Sequence, residues 1–193
     1  CGGFKALGAG FGIGFSYCRK EILHNVAPMI VGSGSTINDP IPPRVYTNND
    51  VLHFLNNAER FEGGSTNTIG IWLLHHSLSL QSELGKENID KHVIGLERIL
   101  RDKLKGCSLD ILPISDLPSG MIVAWYPAEH YNLVEDILNK KHICLTHYPG
   151  YIRMSIAAHN TVHQMNIIAD AFYEIDKLVN KNIESMKDSD LLI

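Results

Sequence analysis

The sequence predicts an α/β protein in two parts. Residues 1–85 read as the end of a larger domain with a linker helix, and residues 86–193 as a small α/β domain with an antiparallel sheet. Three observations lead there. The hydrophobic period is helical from about residue 68 to 105, then changes to short strand-like runs on either side of a further helical stretch. Two of those runs, HICLTHY and YIRMSIA, are separated only by the turn Pro149-Gly150, which suits an antiparallel pair. The first 85 residues open on CGGFKALGAGFGIGFSY and place a long loop ahead of a single helix, as the end of something larger would.

In chain order, GIGFSYCRKEIL predicts a strand running into a short helix. Residues 32–50, rich in Gly, Pro and Asn, predict a long loop of the kind that is functional or disordered. Over 68–85, Ile69, Trp72, Leu73, Leu80 and Leu84 predict a long helix with one strongly buried face, closed by Gly85. Ile89, Val93, Leu96, Ile99, Leu100 and Leu104 repeat the pattern up to Gly106. SLDILPI and GMIVAWY then read as strands, HYNLVEDILNKKH as a helix, and HICLTHY and YIRMSIA as strands again. The last helix starts near Asn160 and Thr161. Thr161 and Gln164 have capping-box spacing, and Val162, Met165, Ile168, Phe172 and Ile175 form the buried stripe. The polar tail KNIESMKDSDLLI is expected to fray.

Composition narrows the function. The 193 residues are 45% hydrophobic and 20% charged, with a net charge of −4, which leaves no basic surface for nucleic acid. No apolar run approaches the roughly 20 residues a membrane span requires, and no secretory signal opens the chain, so a cytoplasmic protein is expected. The four cysteines, Cys1, Cys18, Cys107 and Cys144, are scattered without a CxxC pair, against a disulfide framework or a zinc site. His142 with Cys144, and His159 with His163, lack a matched second pair, so no metal is expected. Gly8, Gly10, Gly12 and Gly14 miss the GxGxxG spacing because Ile13 stands where the third glycine belongs. GSGST at 32–36 lacks the Lys-Ser or Lys-Thr of a phosphate loop.

Three other segments, taken in register, resemble the class V aminotransferase family of fold-type-I pyridoxal-phosphate enzymes, which includes cysteine desulfurases, selenocysteine lyases and isopenicillin N epimerase-like proteins. GGFKALGAGFGIGFSYC is similar to the family's lysine, apolar pair, glycines and G-x-G-F-x-Y strand. RFEGGSTNTIGI at 60–71 resembles R-F-E-x-G-T-P-N, and YIRMSIAAHNT at 151–161 the strand that carries an arginine ahead of an N-T helix cap. The resemblance spans about residues 1–178. It implies that Lys5 is catalytic and forms the Schiff base with the cofactor. Ser65, with Thr66 beside it in place of the family proline, would touch the cofactor phosphate, from the neighbouring subunit of a homodimer. Arg153 would grip the carboxylate of an amino-acid substrate. It further implies that the groups stacking on and pairing with the pyridine ring precede Cys1. The chain then reads as the C-terminal part of such an enzyme, expected not to hold the cofactor by itself.

The residues are compatible with these roles and with plainer ones. A Schiff-base lysine needs a desolvated setting to be neutral part of the time, which apolar, glycine-rich surroundings of Lys5 could supply. Otherwise Lys5 is a lysine on a frayed end. Ser65 suits a phosphate at a helix start, or is a plain N-cap. Arg153 in an apolar strand suits a carboxylate, or a structural salt bridge. Two departures disfavour a desulfurase: Phe4 replaces the histidine common before the lysine, and Cys144 lies in a strand-like run, where a small buried, inert residue is expected. An aminotransferase, lyase or epimerase-like activity is preferred. The alternatives are a non-catalytic remnant of the fold serving assembly or binding, and a cysteine desulfurase.

Overall fold

The computed structural model describes residues 1–32, 34–37, 53–113 and 118–190, the last of these, 181–190, by backbone alone. Most of the loop expected at 32–50 lies outside them, as do Ile114 of the first expected strand and the final three residues. The chain divides into two units, Cys1–Glu83 and Leu84–Ile193.

In the first unit, the glycine-rich start folds back on itself. Gly2 and Gly14 pair as an isolated antiparallel bridge, Gly3 N–H donates to Ile13 at 2.8 Å, and Ala9 N–H donates to Gly3 at 2.8 Å. Glycine is required here for two reasons. Gly8, Gly10 and Gly12 have φ between 65° and 79°, and a Cβ on Gly14 would lie 2.6 Å from the Cys1 carbonyl oxygen. The close approach announced by these glycines is thus chain against chain. The strand expected over GIGFSY is reduced to that one bridge, because a reversal this tight leaves no length for a ladder, and Lys20–Asn25 form a 3-10 helix.

Helix α1 spans Thr68–Leu84, as the pattern predicts, but its expected buried face is not there. Ile69, Trp72, Leu80 and Leu84 are 75%, 61%, 57% and 51% exposed, and Leu73 is exposed too. The less exposed stripe is Gly70, Leu74, Ser77 and Gln81. What α1 meets is backbone rather than an apolar core, so small and polar side chains face inward.

The second unit has helices α2 (Lys86–Lys103), α3 (Tyr131–Lys140) and α4 (Val162–Asp190) and strands β1 (Asp110–Ile111), β2 (Met121–Trp125), β3 (Thr146–Tyr148) and β4 (Tyr151–Ser155). The strands form one antiparallel sheet in the order β1-β2-β4-β3. Alternation sets its faces: Ile122 pairs with Met154 and Ala124 with Ile152, all buried, while Met121, Trp125, Arg153 and Ser155 face the other way and are exposed. Leu96 and Leu100 of α2, Leu104 just after it, Val134, Ile137 and Leu138 of α3, and Met165, Phe172 and Ile175 of α4 complete the core over the first face. Each such side chain contributes about 1.5–3 kcal/mol on burial.

Polar detail fixes the joints. The expected capping box forms: Gln164 N–H donates to Thr161 Oγ1 at 3.3 Å, and Thr161 N–H donates to Gln164 Oε1 at 3.0 Å. Helix α4 then runs through to Asp190, across much of the tail expected to fray. His142, at φ 53°, ends α3 in a left-handed position, where its N–H reaches Asn139 and that of Ile143 reaches Leu138. Glu97 of α2, 2% exposed, accepts the Gly120 N–H at 2.9 Å and Arg101 Nε at 2.9 Å. Arg101 in turn donates to the carbonyls of Leu112 and Met121. Glu97→Ala strands the Gly120 N–H and the Arg101 charge together, and is expected to lower stability by about 3 kcal/mol. Glu97→Gln, which keeps an acceptor, is expected to lose roughly 1–2 kcal/mol. Urea unfolding of both variants checks the difference.

Candidate functional site

Lys5 opens a tight turn closed by the Gly8 N–H, which donates to its carbonyl at 2.9 Å. The side chain is exposed and lies 5.6 Å from the centre of the Phe4 ring, which stacks on Phe11. The desolvation expected around Lys5 is therefore not provided by the described residues, since the glycines serve the reversal of the chain and leave the amine outside. No carboxylate pairs with it among them. Its turn is nonetheless held. Gln81 Nε2 donates to the carbonyls of Ala6 and Leu7, each at 3.2 Å, and the Ser77 hydroxyl donates to that of Leu7. Asn67 Nδ2 donates to the Gly12 carbonyl at 3.0 Å.

Ser65 and Thr66 lie just before α1, both exposed, and neither hydroxyl has a partner among the described residues. The N-cap is Asn67, whose Oδ1 accepts the Gly70 N–H at 2.9 Å, so the plain capping role is not Ser65's. Asn67 thus joins the Lys5 loop to the Ser65 turn within one unit. The turn is braced from behind. Arg60, buried between Phe54 and Phe61, donates to the Leu23 carbonyl at 3.1 Å, and the Ser35 hydroxyl donates to the Glu62 carbonyl at 2.6 Å. Gly32 backs onto Gly63 so closely that a Cβ there would sit 1.9 Å from the Gly63 oxygen.

Arg153 belongs to the second unit. It sits on β4 between Val123 and Thr146 and is exposed, so the costly burial expected for it does not arise: the alternation turns Ile152 and Met154 inward and Arg153 outward. No salt bridge engages it among the described residues, and its one partner there is Thr146, whose hydroxyl accepts from Nη2 at 3.4 Å.

Cys144 also departs from expectation. It precedes β3 on a stretch without regular structure, and it is exposed, because the left-handed turn at His142 delays the strand to Thr146. Cys107 is the half-buried thiol. Burial pushes it up from the ordinary value, a backbone hydrogen bond at Leu109 opposes this, and neighbouring Asp176 adds to the rise. Asp176 itself accepts from Ser108 and Asn180. These residues line an open cleft of about 290 Å³ with Asp110, Trp125 and Tyr126, which contains none of Lys5, Ser65, Thr66 or Arg153. Among the described residues no group of three or more His, Cys, Asp or Glu could hold a metal ion, and no helix is long and apolar enough to cross a membrane.

Sequence reasoning passed over Asn67, Ser77 and Gln81. The last two carry a signal in the sequence: Gly70, Ser77 and Gln81 recur at helical spacing and leave a small or polar side chain at three positions of one stripe of α1.

This layout is shared with part of the fold of solved cysteine desulfurases. The structure is similar to a cysteine desulfurase from Thermococcus onnurineus, with a TM-score of 0.70 at 18% identity, over 83% of this chain and 42% of that one. It is similar also to the cysteine desulfurase CsdA from Escherichia coli, with a TM-score of 0.68 at 16% identity, over 84% and 42%. At these identities the likeness is one of fold. Residues 1–168 match the aminotransferase class-V family, and the chain belongs to it. An uncharacterized aminotransferase of Schizosaccharomyces pombe is 26% identical over 169 residues, 86% of this chain and 42% of that protein. The chain thus spans about two-fifths of the length of these relatives.

Two measurements check the site geometry. Gly32→Ala is expected to cost about 1–3 kcal/mol by overpacking against Gly63, whereas Gly64→Ala, with open space around it, stays within about 0.5 kcal/mol in urea unfolding. In alkylation mapped by mass spectrometry at mildly alkaline pH, Cys144 and Cys1 are expected to react first. Cys107 should lag by roughly ten-fold or more, since burial and scarce thiolate both slow it.

Proposed function

We propose that this chain is the C-terminal portion of a pyridoxal-phosphate-dependent enzyme that acts on an amino acid by transamination, elimination or epimerisation. The observation that carries the proposal is the state of Arg153: a guanidinium on an open sheet face, with a hydroxyl for its partner and no acid among the described residues. That is the condition for accepting a substrate carboxylate through paired N–H donors. The other groups fit the cofactor. Among the described residues, Lys5 presents an unpaired amine on a braced turn for its aldehyde, and Ser65 and Thr66 present unpaired hydroxyls at a helix start for its phosphate. Lys5 would hold the cofactor, and its Nζ would also carry the proton taken from the substrate α-carbon. The cofactor, when bound, supplies an electron sink for the charge left on that carbon. The resemblance supports a homodimer in which Ser65 serves the cofactor of the neighbouring subunit, and the scattered cysteines suit a cytoplasmic protein. It also supports dividing the chain near residue 85, between the end of a cofactor-binding domain and a small C-terminal domain.

A second reading, a cysteine desulfurase, gains from one observation, the exposure of Cys144. A nucleophilic thiol must be reachable, and this one is.

The test uses the full-length protein with its cofactor. Lys5→Ala is expected to abolish turnover even where substrate still binds. Arg153→Ala removes a charge-assisted contact of about 1.5–3 kcal/mol, so KM should rise roughly ten- to a hundred-fold while the cofactor stays attached. Loss of folding in Arg153→Ala, with KM unchanged in the folded fraction, would make the arginine structural. Wild-type turnover in Lys5→Ala would leave the non-catalytic remnant as the answer. Sulfur release from cysteine that disappears in Cys144→Ala would select the desulfurase.

A further inference from the structure

The turn that begins at Lys5 closes one hydrogen bond of its own, from the Gly8 N–H to the Lys5 carbonyl. Its two central carbonyls, those of Ala6 and Leu7, have no backbone partner among the described residues, because no ladder runs through this part of the chain. Both are taken by α1: Gln81 forks its amide between them, and the Ser77 hydroxyl holds the second. Ser77 also limits the turn sterically, since its Oγ would lie 3.1 Å from a Cβ on Gly8, whose φ is 65°.

We infer that Ser77 and Gln81 are positioning residues for Lys5. The inference rests on the proposed role of Lys5 and extends it to the means by which the amine is aimed. The backbone bonds Gly8 to Lys5 and Ala9 to Gly3 close the two ends of the turn and leave its middle unheld, so Ala6 and Leu7 can rock, and the direction of the Lys5 Cα–Cβ bond rocks with them. Two anchors one helical turn apart, on a rigid element, remove that freedom. Because α1 begins at the Ser65–Thr66 turn, the same helix sets the lysine and the hydroxyls on one frame. An amine that must meet both a bound aldehyde and a substrate proton is sensitive to displacements well below 1 Å.

The experiment takes the full-length protein with Ser77→Ala, Gln81→Leu and the double substitution. Hydrogen exchange in the cofactor-free protein is read at the Gly8 amide and along α1. In the loaded protein, kcat, KM and the pH midpoint of the cofactor's visible absorbance are read. The double variant is expected to exchange Gly8 at least ten-fold faster with α1 still protected, to lose kcat by on the order of 10–100-fold with KM little changed, and to shift the absorbance midpoint. Each single variant should show part of the effect, and Ser77→Thr, which keeps the hydroxyl, should keep Gly8 protected. Unchanged Gly8 exchange in both single variants overturns the inference, as does faster exchange with kcat and the midpoint unmoved. A Lys5→Ala control run alongside separates the two ideas. If it leaves turnover intact, the proposed function has failed. If it abolishes turnover while the Ser77 and Gln81 variants behave as wild type, only the positioning role has failed.

Discussion

Backbone carbonyls must find donors, and among the described residues of the first unit no strand offers them to the chain between Lys5 and Gly12. That requirement organises the unit. Glycine lets the chain reverse within a few residues, which brings Lys5 outward but breaks any regular ladder. The carbonyls of Ala6, Leu7 and Gly12 then depend on Asn67, Ser77 and Gln81, three side chains of one helical frame. The Leu7 carbonyl is part-buried and would lose up to about 1–3 kcal/mol without its donors, while those of Ala6 and Gly12 are exposed, so that there the side chains hold the loop in place of water. Gly70 follows from the same need: a Cβ there would lie 2.9 Å from that of Ile13, so α1 could not come close enough to donate.

The second unit meets its requirements by a more regular route. Strand pairing satisfies the backbone, and alternation assigns each side chain a face. Only one buried carboxylate, Glu97, is needed to hold α2 to the start of β2, where Gly120 turns at φ 70° and its carbonyl accepts from Ile156 at 2.7 Å. The outcome for chemistry is that Arg153 stands on a rigid sheet, flanked by Val123 and Thr146, rather than on a loop. A guanidinium so mounted loses little freedom when it takes up a planar ligand.

How much of this the sequence discloses depends on which force rules each segment. Where apolar periodicity meets an apolar core, the reading is good: α2, α3, β2, β4 and the Thr161–Gln164 capping box stand where the pattern puts them. Helix α1 is correctly placed and wrongly faced, because hydrophobic spacing says nothing about a helix whose neighbour is a row of carbonyls. The apolar neighbours of Arg153 suggest a costly burial, although Tyr151, Arg153 and Ser155 alternate with Ile152 and Met154, a period-2 signal that turns the arginine outward. Cys144 falls in a strand-like run, and nothing in HICL announces that a histidine takes the left-handed position usually given to glycine. The three segments that resemble the class V aminotransferases were legible as residues in order. That the amine and the hydroxyls lack hydrogen-bond partners among the described residues, and that the guanidinium meets there only the Thr146 hydroxyl, is a property of the folded chain alone.

The inverted facing of α1 has a calorimetric consequence. Unfolding raises heat capacity chiefly by bringing apolar surface into contact with water. Ile69, Trp72, Leu80 and Leu84 already meet water in the folded chain, so α1 adds little to that increment. What α1 does release on melting is largely hydrogen bonding to carbonyls, a contribution of enthalpy with small or negative heat capacity. Helix α1 therefore contributes less to the curvature of stability with temperature than its apolar content implies, whereas the packed core around Phe172 in the second unit contributes fully.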